Sequence, residues 1–354
     1  MTVDLAERAE RRAAFAALAG ALLLSEPGKM TAPLVARVPQ LASLADESLA
    51  VEYERIFLRS VSPYESVFRS DSAERGGAVA ARVTDFFDDT GFDEHRTNRW
   101  RVAGADHLGL QLRAHAFLVG LEAAAWRGER PDEGARHVEA QRRLFAEHVG
   151  WWAQVALDAM AVVAVETGYA QLLGAVSEFL VEEVELLRPL PYMDVTQLPT
   201  QGSTSRLGPR RLARHMLAPA RCGFWLGSED IAASARLLGF PWRPMDSRQN
   251  LVPLVNAAYE AGEIEALVTP WVSRARDAAR TYSERASSQA GAELAWRHLG
   301  ELAAQTAELL VASSERMMSA SDDDEVVLRV SGSNAGSALD ALRAQGFDAE
   351  VIVD

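Results

Sequence analysis

The 354-residue chain has a single cysteine, Cys222. One thiol cannot close an internal disulfide, and it cannot supply the cysteine ligand sets of structural zinc or iron–sulfur centres. That usage fits a reducing compartment. Long apolar runs are also missing. The run at residues 13–24 falls short of the ~20 apolar residues that span a bilayer, so no stable membrane insertion is expected. Basic charge is outweighed, with 36 Lys and Arg against 50 Asp and Glu, a formal net charge of -14, and almost all of the positive charge is arginine. Such a field repels phosphate backbones and disfavours nucleic acid, whereas it attracts a cationic partner such as a basic peptide. No His-Glu-x-x-His pattern, no phosphate-binding loop and no internal repeat occur, and His107 and His115 are too far apart for a His-x-x-x-His zinc pair.

What is present points to a helical globular protein. Hydrophobic residues make up 48% of the chain at a mean hydropathy of -0.07, enough apolar mass for a core. Leu108, Leu112, His115, Val119 and Ala123 recur at helical steps, as do Leu144, His148, Trp151, Val155, Ala159 and Val162, and each set reads as one helix face. Gly, Pro and Asp punctuate the helices at Pro27-Gly28, Gly91, Gly104 and residues 128–131. Arg11-Arg12 before the apolar run superficially resembles a twin-arginine leader. Acidic Asp4, Glu7 and Glu10 and the lack of a small-x-small site argue instead for a first core helix.

The length suggests two domains. Residues 1–190 read as an all-helical domain, and 191–209, rich in Pro, Gly, Ser and Thr, as a linker. Residues 210–320 read as a second helical domain of unassigned role. There Ser228 is the expected N-cap of a helix stopped by Gly239 and Pro241, and residues 263–318 are two long helices broken near Ser287-Ser288. Residues 321–354 read as an acidic linker and a small β-α-β tail, with strands at 326–330 and 349–353 around a helix at 335–344.

Three segments, in order, resemble the TorD/DmsD/NarJ family of molybdoenzyme maturation chaperones. Tyr53-Glu54-Arg55-Ile56-Phe57 resembles its aromatic-x-x-Leu-Phe motif, with Ile in place of Leu; Pro63-Tyr64-Glu65-Ser66-Val67 resembles the Pro-aromatic segment that follows; Ala105-Asp106-His107-Leu108 resembles its Asp-His dyad. An aromatic-rich helix at 145–152 completes the layout, and the resemblance covers roughly residues 10–190. The sequence departs from the family where Arg101 to Ala105 lacks the carboxylate that often precedes Asp-His. The resemblance implies an all-α chaperone domain. It would hold the apo catalytic subunit of a molybdopterin oxidoreductase, through its twin-arginine leader or N-terminal region, until the cofactor is inserted. It implies a cytoplasmic protein without catalysis or a cofactor of its own. Some members are linked to guanine nucleotides; contact with a nucleotide or with the molybdenum cofactor has no motif behind it here.

The residues that the resemblance assigns to the client are Tyr53, Phe57, Pro63, Tyr64, Glu65, Asp106 and His107, and each also has a plainer reading. Tyr53 and Phe57 share a helix face, as part of an apolar groove or as ordinary core. Pro63-Tyr64-Glu65 reads as a loop beside that groove, with Glu65 available to an incoming arginine, or as a turn with an exposed Tyr. Asp106 and His107 stand at the groove rim, or Asp106 caps the coming helix. A hydrolase-type enzyme would use Asp106 to orient His107 as a base, and a scaffold or regulator would act through the C-terminal half. Glu178, Glu182 and Glu185, with Glu183 beside them, form an acidic face for a leader's arginines or a solvated one. Arg206, Arg210, Arg211, Arg214 and Arg221 are a basic cluster that grips a client or pairs with acidic neighbours. Cys222 reads as a buried thiol. A homodimer stays open.

Overall fold

The computed structural model describes residues 2–28, 31–36, 38–70, 73–94, 104–165, 168–188, 207–242, 248–319, 325–329 and 348–352. In the first half, helices run α1 (Thr2–Leu24), α2 (Ala32–Val35), α3 (Ala50–Tyr53), α4 (Glu65–Arg69), α5 (Gly77–Thr90), α6 (Leu108–Arg127), α7 (Pro131–Leu144), α8 (Trp152–Val163) and α9 (Gly168–Leu186). In the second half they run α10 (Pro209–Leu217), α11 (Pro219–Cys222), α12 (Ser228–Leu237), α13 (Leu251–Glu260), α14 (Ile264–Ser288) and α15 (Glu293–Ser319). The fold is all-α, as the sequence implies.

The core is built on α1 packed along α6, the most extensive helix pair of the first half. Small residues make that approach close. A side-chain carbon on Gly20 would stand 2.6 Å from the Gly109 carbonyl oxygen, and one on Gly109 would stand 2.8 Å from the Gly20 carbonyl. The apolar run at residues 13–24 is thus the inner stripe of a core helix, with Ala16, Ala19, Leu22 and Leu23 buried.

Two helices slip into π geometry, which is found mostly as single turns and often at functional sites. α3 continues as a π segment over Glu54–Ser60, and α7 as one over Phe145–Val149, which Gly150 closes by donating to the Phe145 carbonyl at 2.8 Å. The stripe from Leu144 to Val162 is therefore not one helix face. It divides at Gly150-Trp151, and α8 begins a new helix.

The halves share one hydrophobic core. Phe68 of α4 lies between Trp152 (centroids 5.6 Å) and Trp225 of the second half (5.0 Å, 25° between planes). Arg285 of α14 holds Asp158 of α8 through two hydrogen bonds of 2.5 and 2.9 Å. α14 and α15 are the two long helices expected over residues 263–318, and they pack as a hairpin turned by a short 3-10 segment at Ala290–Ala292. Ser228 is the first residue of α12 and not its cap; Gly227 precedes it and donates to the Asp230 carboxylate at 2.9 Å.

At the C-terminus, strands β1 (Glu325–Arg329) and β2 (Asp348–Ile352) pair in parallel, Glu325 opposite Asp348. The helix read at 335–344 lies outside the described residues, so a β-α-β unit as a whole is not supported. Most of the linker read at 191–209, and Arg206 with it, also lies outside them.

Candidate functional site

The Pro63-Tyr64-Glu65 and Asp106-His107 segments meet where two helices start side by side. Tyr64 is extended (φ -118°, ψ 131°) and α4 begins at Glu65 without a cap from its own N-cap side chain. The cap comes from Asp106, 40 residues on: Asp106 Oδ2 accepts from the Ser66 N–H at 3.0 Å, and the Asp106 carbonyl accepts from the Glu65 N–H at 2.9 Å. α6 starts at the same point. His107 is its N-cap, with Nδ1 accepting from the Gly109 N–H at 3.0 Å, while the Leu108 N–H donates to the Pro63 carbonyl at 2.9 Å. Tyr64 and His107 form an isolated antiparallel bridge and set their rings edge to face at 4.9 Å. The reading of Asp106 as cap of the following helix is thereby corrected: His107 caps α6 and Asp106 caps α4. Each N-cap satisfies an N–H group that the first turn of a helix leaves unpaired.

Beneath this clasp lies a buried polar network. Glu65 is fully buried; it accepts from Arg69 Nη1 at 2.5 Å and from Gln111 Nε2 at 2.6 Å, with His148 Nδ1 at 3.4 Å. Arg69 also donates to the carbonyl of Glu147 in the second π segment. Two acceptors here are buried without a donor, Asp106 Oδ1 and Gln111 Oε1. Burial and the neighbouring Glu65 carboxylate raise the Asp106 pKa, against the hydrogen bond from Ser66. Burial, with nearby Arg75 adding to it, pushes the His107 pKa down to about 3. His107 is therefore neutral near pH 7, and its accepting Nδ1 leaves the proton on Nε2.

All seven sequence-predicted residues are buried. Five of them, from Pro63 to Glu65 and Asp106 with His107, come together in the clasp. Tyr53 and Phe57 do not join it. They pack on Tyr169 at 6.2 and 5.2 Å, and the Tyr53 hydroxyl donates to the Leu23 carbonyl at 3.3 Å. The motif helix instead leaves Val51 and Leu58 exposed. The loop with an exposed Tyr64 is absent, since Glu65 opens a helix and Tyr64 is buried. Among the described residues Asp106 makes no hydrogen bond to His107, so the two do not form an oriented acid–base couple.

The sequence reading missed Arg69, Gln111 and His148; the available signal was Arg69 one helical turn after Glu65. It also missed a second network. Arg12 Nε and Nη2 bind both Glu183 oxygens, at 2.7 and 2.6 Å, and Arg12 reaches Glu122 at 3.1 Å and Gln141 at 2.7 Å. His115 Nε2 meets Glu183 at 2.8 Å. Burial alone would raise the Glu183 pKa, but Arg12 and His115 hold it down at about 2. Glu183 thus binds the chain's own arginine and is no part of an acidic face for a leader; Glu178 and Glu182 are exposed. Cys222 is a free buried thiol whose pKa burial pushes up to about 11. Among the described residues no helix is long and apolar enough to cross a membrane, and no group of His, Cys, Asp and Glu is placed to hold a metal ion.

An all-α domain in which a Pro-aromatic segment and an Asp-His dyad close on each other over a polar core is consistent with a TorD-like fold. Residues 8–158 match the family described as nitrate reductase delta subunit, a family of molybdoenzyme maturation chaperones. No curated protein and no solved structure matches the chain. The family supports a chaperone role in molybdoenzyme maturation and implies interaction with a molybdoenzyme catalytic subunit.

Proposed function

We propose that the chain binds the apo catalytic subunit of a molybdopterin oxidoreductase in the cytoplasm, through that subunit's twin-arginine leader or N-terminal region, and holds it for cofactor insertion. The clasp is the proposed receiving point, with Tyr64, Glu65, Asp106 and His107 around it and the Tyr53–Phe57 layer behind. The observation that carries this is the surplus of acceptors in the clasp: Arg69 engages Glu65 and the Glu147 carbonyl, while Asp106 Oδ1 and Gln111 Oε1 are buried without a donor. A client guanidinium with its five donors would satisfy what Arg69 leaves open. Because these groups are closed off, binding requires the 63–66 segment to part from 104–109, which exchanges the caps on Ser66 and Gly109 for client contacts. The acidic surface steers a basic leader toward the protein.

The test is calorimetric titration of the full chain with a synthetic leader peptide carrying an arginine pair, and with the same peptide after Arg→Ala at both positions. Tight binding of the first and roughly ten- to a hundredfold weaker binding of the second is expected, from charge-assisted hydrogen bonds worth roughly 1.5–3 kcal/mol. Equal affinity for the two peptides removes the arginine-receiving role from the clasp.

A further inference from the structure

Outside the family-matched span, Arg248 is a cation that meets no counter-ion among the described residues. Its guanidinium carbon stands 3.7 Å from the centroid of the Trp225 ring, the same indole that stacks on Phe68. Nη2 donates to the Leu217 carbonyl, whereas Nε is buried and meets no acceptor. Among the described residues no carboxylate pairs with it. Burial brings its pKa down to about 10, with Cys222 opposing only in part. A desolvated cation left without an anion is costly.

Further unpaired donors belong to the same corner. The Trp225 indole N–H and the Ser228 hydroxyl are buried, at 6% and 7% exposure, and neither has a partner. The Trp225 nitrogen lies 3.6 Å from where a side chain on Gly227 would begin, beside the N-terminus of α12. The first-turn N–H groups of that ten-residue helix add positive potential. Glu229 and Asp230 on the same turn oppose it, although the Asp230 carboxylate is engaged by the Gly227 N–H.

We propose that Arg248, Trp225 and Ser228, at the N-terminus of α12, form a binding site for a small oxyanion, either free phosphate or the carboxylate of an acidic ligand. The guanidinium offers its Nε edge while the indole fixes its plane, so little side-chain entropy is lost on binding. Arg248 is half-buried.

Titration calorimetry of the full chain with inorganic phosphate and, separately, with acetate tests this. Wild type is expected to bind at least one of them, and which one separates phosphate from carboxylate ligands. Arg248→Met is expected to weaken binding on the order of tenfold or more, while thermal stability stays level or rises because an unpaired cation has been removed. Trp225→Phe keeps a ring under the guanidinium and removes the N–H, and is expected to weaken binding by roughly threefold or more. Absence of binding by wild type to either ion overturns the proposal. So does unchanged affinity in both variants, and Arg248 is then packing on Trp225 alone.

Discussion

Asp106 and His107 are neighbours that serve different helices. The carboxylate stops the N-terminus of α4 and the imidazole stops that of α6. Asp106→Ala removes a cap and leaves Ser66 N–H unpaired, so a loss of about 1–2 kcal/mol is expected in urea unfolding. Asp106→Asn keeps an oxygen for that N–H and is expected to cost under about 1 kcal/mol. His107 gives the fold a pH dependence. Its pKa is about 3 when folded against an ordinary 6.5, so the unfolded chain takes up the proton first as pH falls. The stabilisation is full above pH 6.5 and is lost on descent toward pH 3, at up to about 1.4 kcal/mol per pH unit. His107→Asn retains a capping oxygen without titrating, and denaturation midpoints between pH 6.5 and 4 are expected to fall less steeply than in wild type. At this scale the sequence shows that Asp106-His107 opens a helix after Gly104. It does not show that Asp106 turns away to a helix 40 residues earlier, because no local spacing encodes that contact.

The elements explain which helices were legible. α6 reads directly from Leu108, Leu112, His115, Val119 and Ala123, all of them buried. Helical periodicity runs on through Phe145–Val149 because a single π turn shifts the phase without breaking the apolar run, so Gly150-Trp151 passes unseen as a boundary. The junction of α1 with α6 is equally hidden, since Gly20 and Gly109 are ordinary glycines until the helices are paired. Gly109→Ala would drive a carbon to 2.6 Å from Leu24 Cγ and 2.8 Å from the Gly20 carbonyl. It is expected to destabilise by roughly 1–3 kcal/mol by forcing the helices apart, readable as a lowered urea midpoint. Arg12 crosses the same junction to Glu183 on α9. Glu183→Gln leaves a buried guanidinium short of its anion and is expected to cost roughly 3–5 kcal/mol. With Glu183 at about 2 against an ordinary 4.5, the wild-type pair contributes fully above pH 4.5 and fails as pH falls toward 2.

Across the whole molecule, the break in composition near residues 191–209 reads as a boundary, yet the packing on either side is shared. Phe68 rests against both Trp152 and Trp225, and Asp158 is held by Arg285. The sequence does not show this because aromatic residues carry no label for their partners. A chain ending at residue 188 is expected to keep helical circular dichroism but to bind the dye ANS and associate in solution, as it exposes that aromatic surface. The chaperone reading of roughly residues 10–190 rests on three motifs in order, a family match covers residues 8–158, and the fold brings two of the three motifs together.

The most direct measurement is capture of the apo and the cofactor-loaded forms of a molybdopterin-type catalytic subunit on the purified full-length chain, with wild type and the double variant Tyr64→Ala, Glu65→Gln compared side by side. The expected result is retention of the apo form on wild type, little retention of the loaded form, and on the order of tenfold weaker retention on a double variant of unchanged helicity. Equal retention of apo and loaded subunit, or undiminished capture by a folded double variant, would contradict a client site at the clasp.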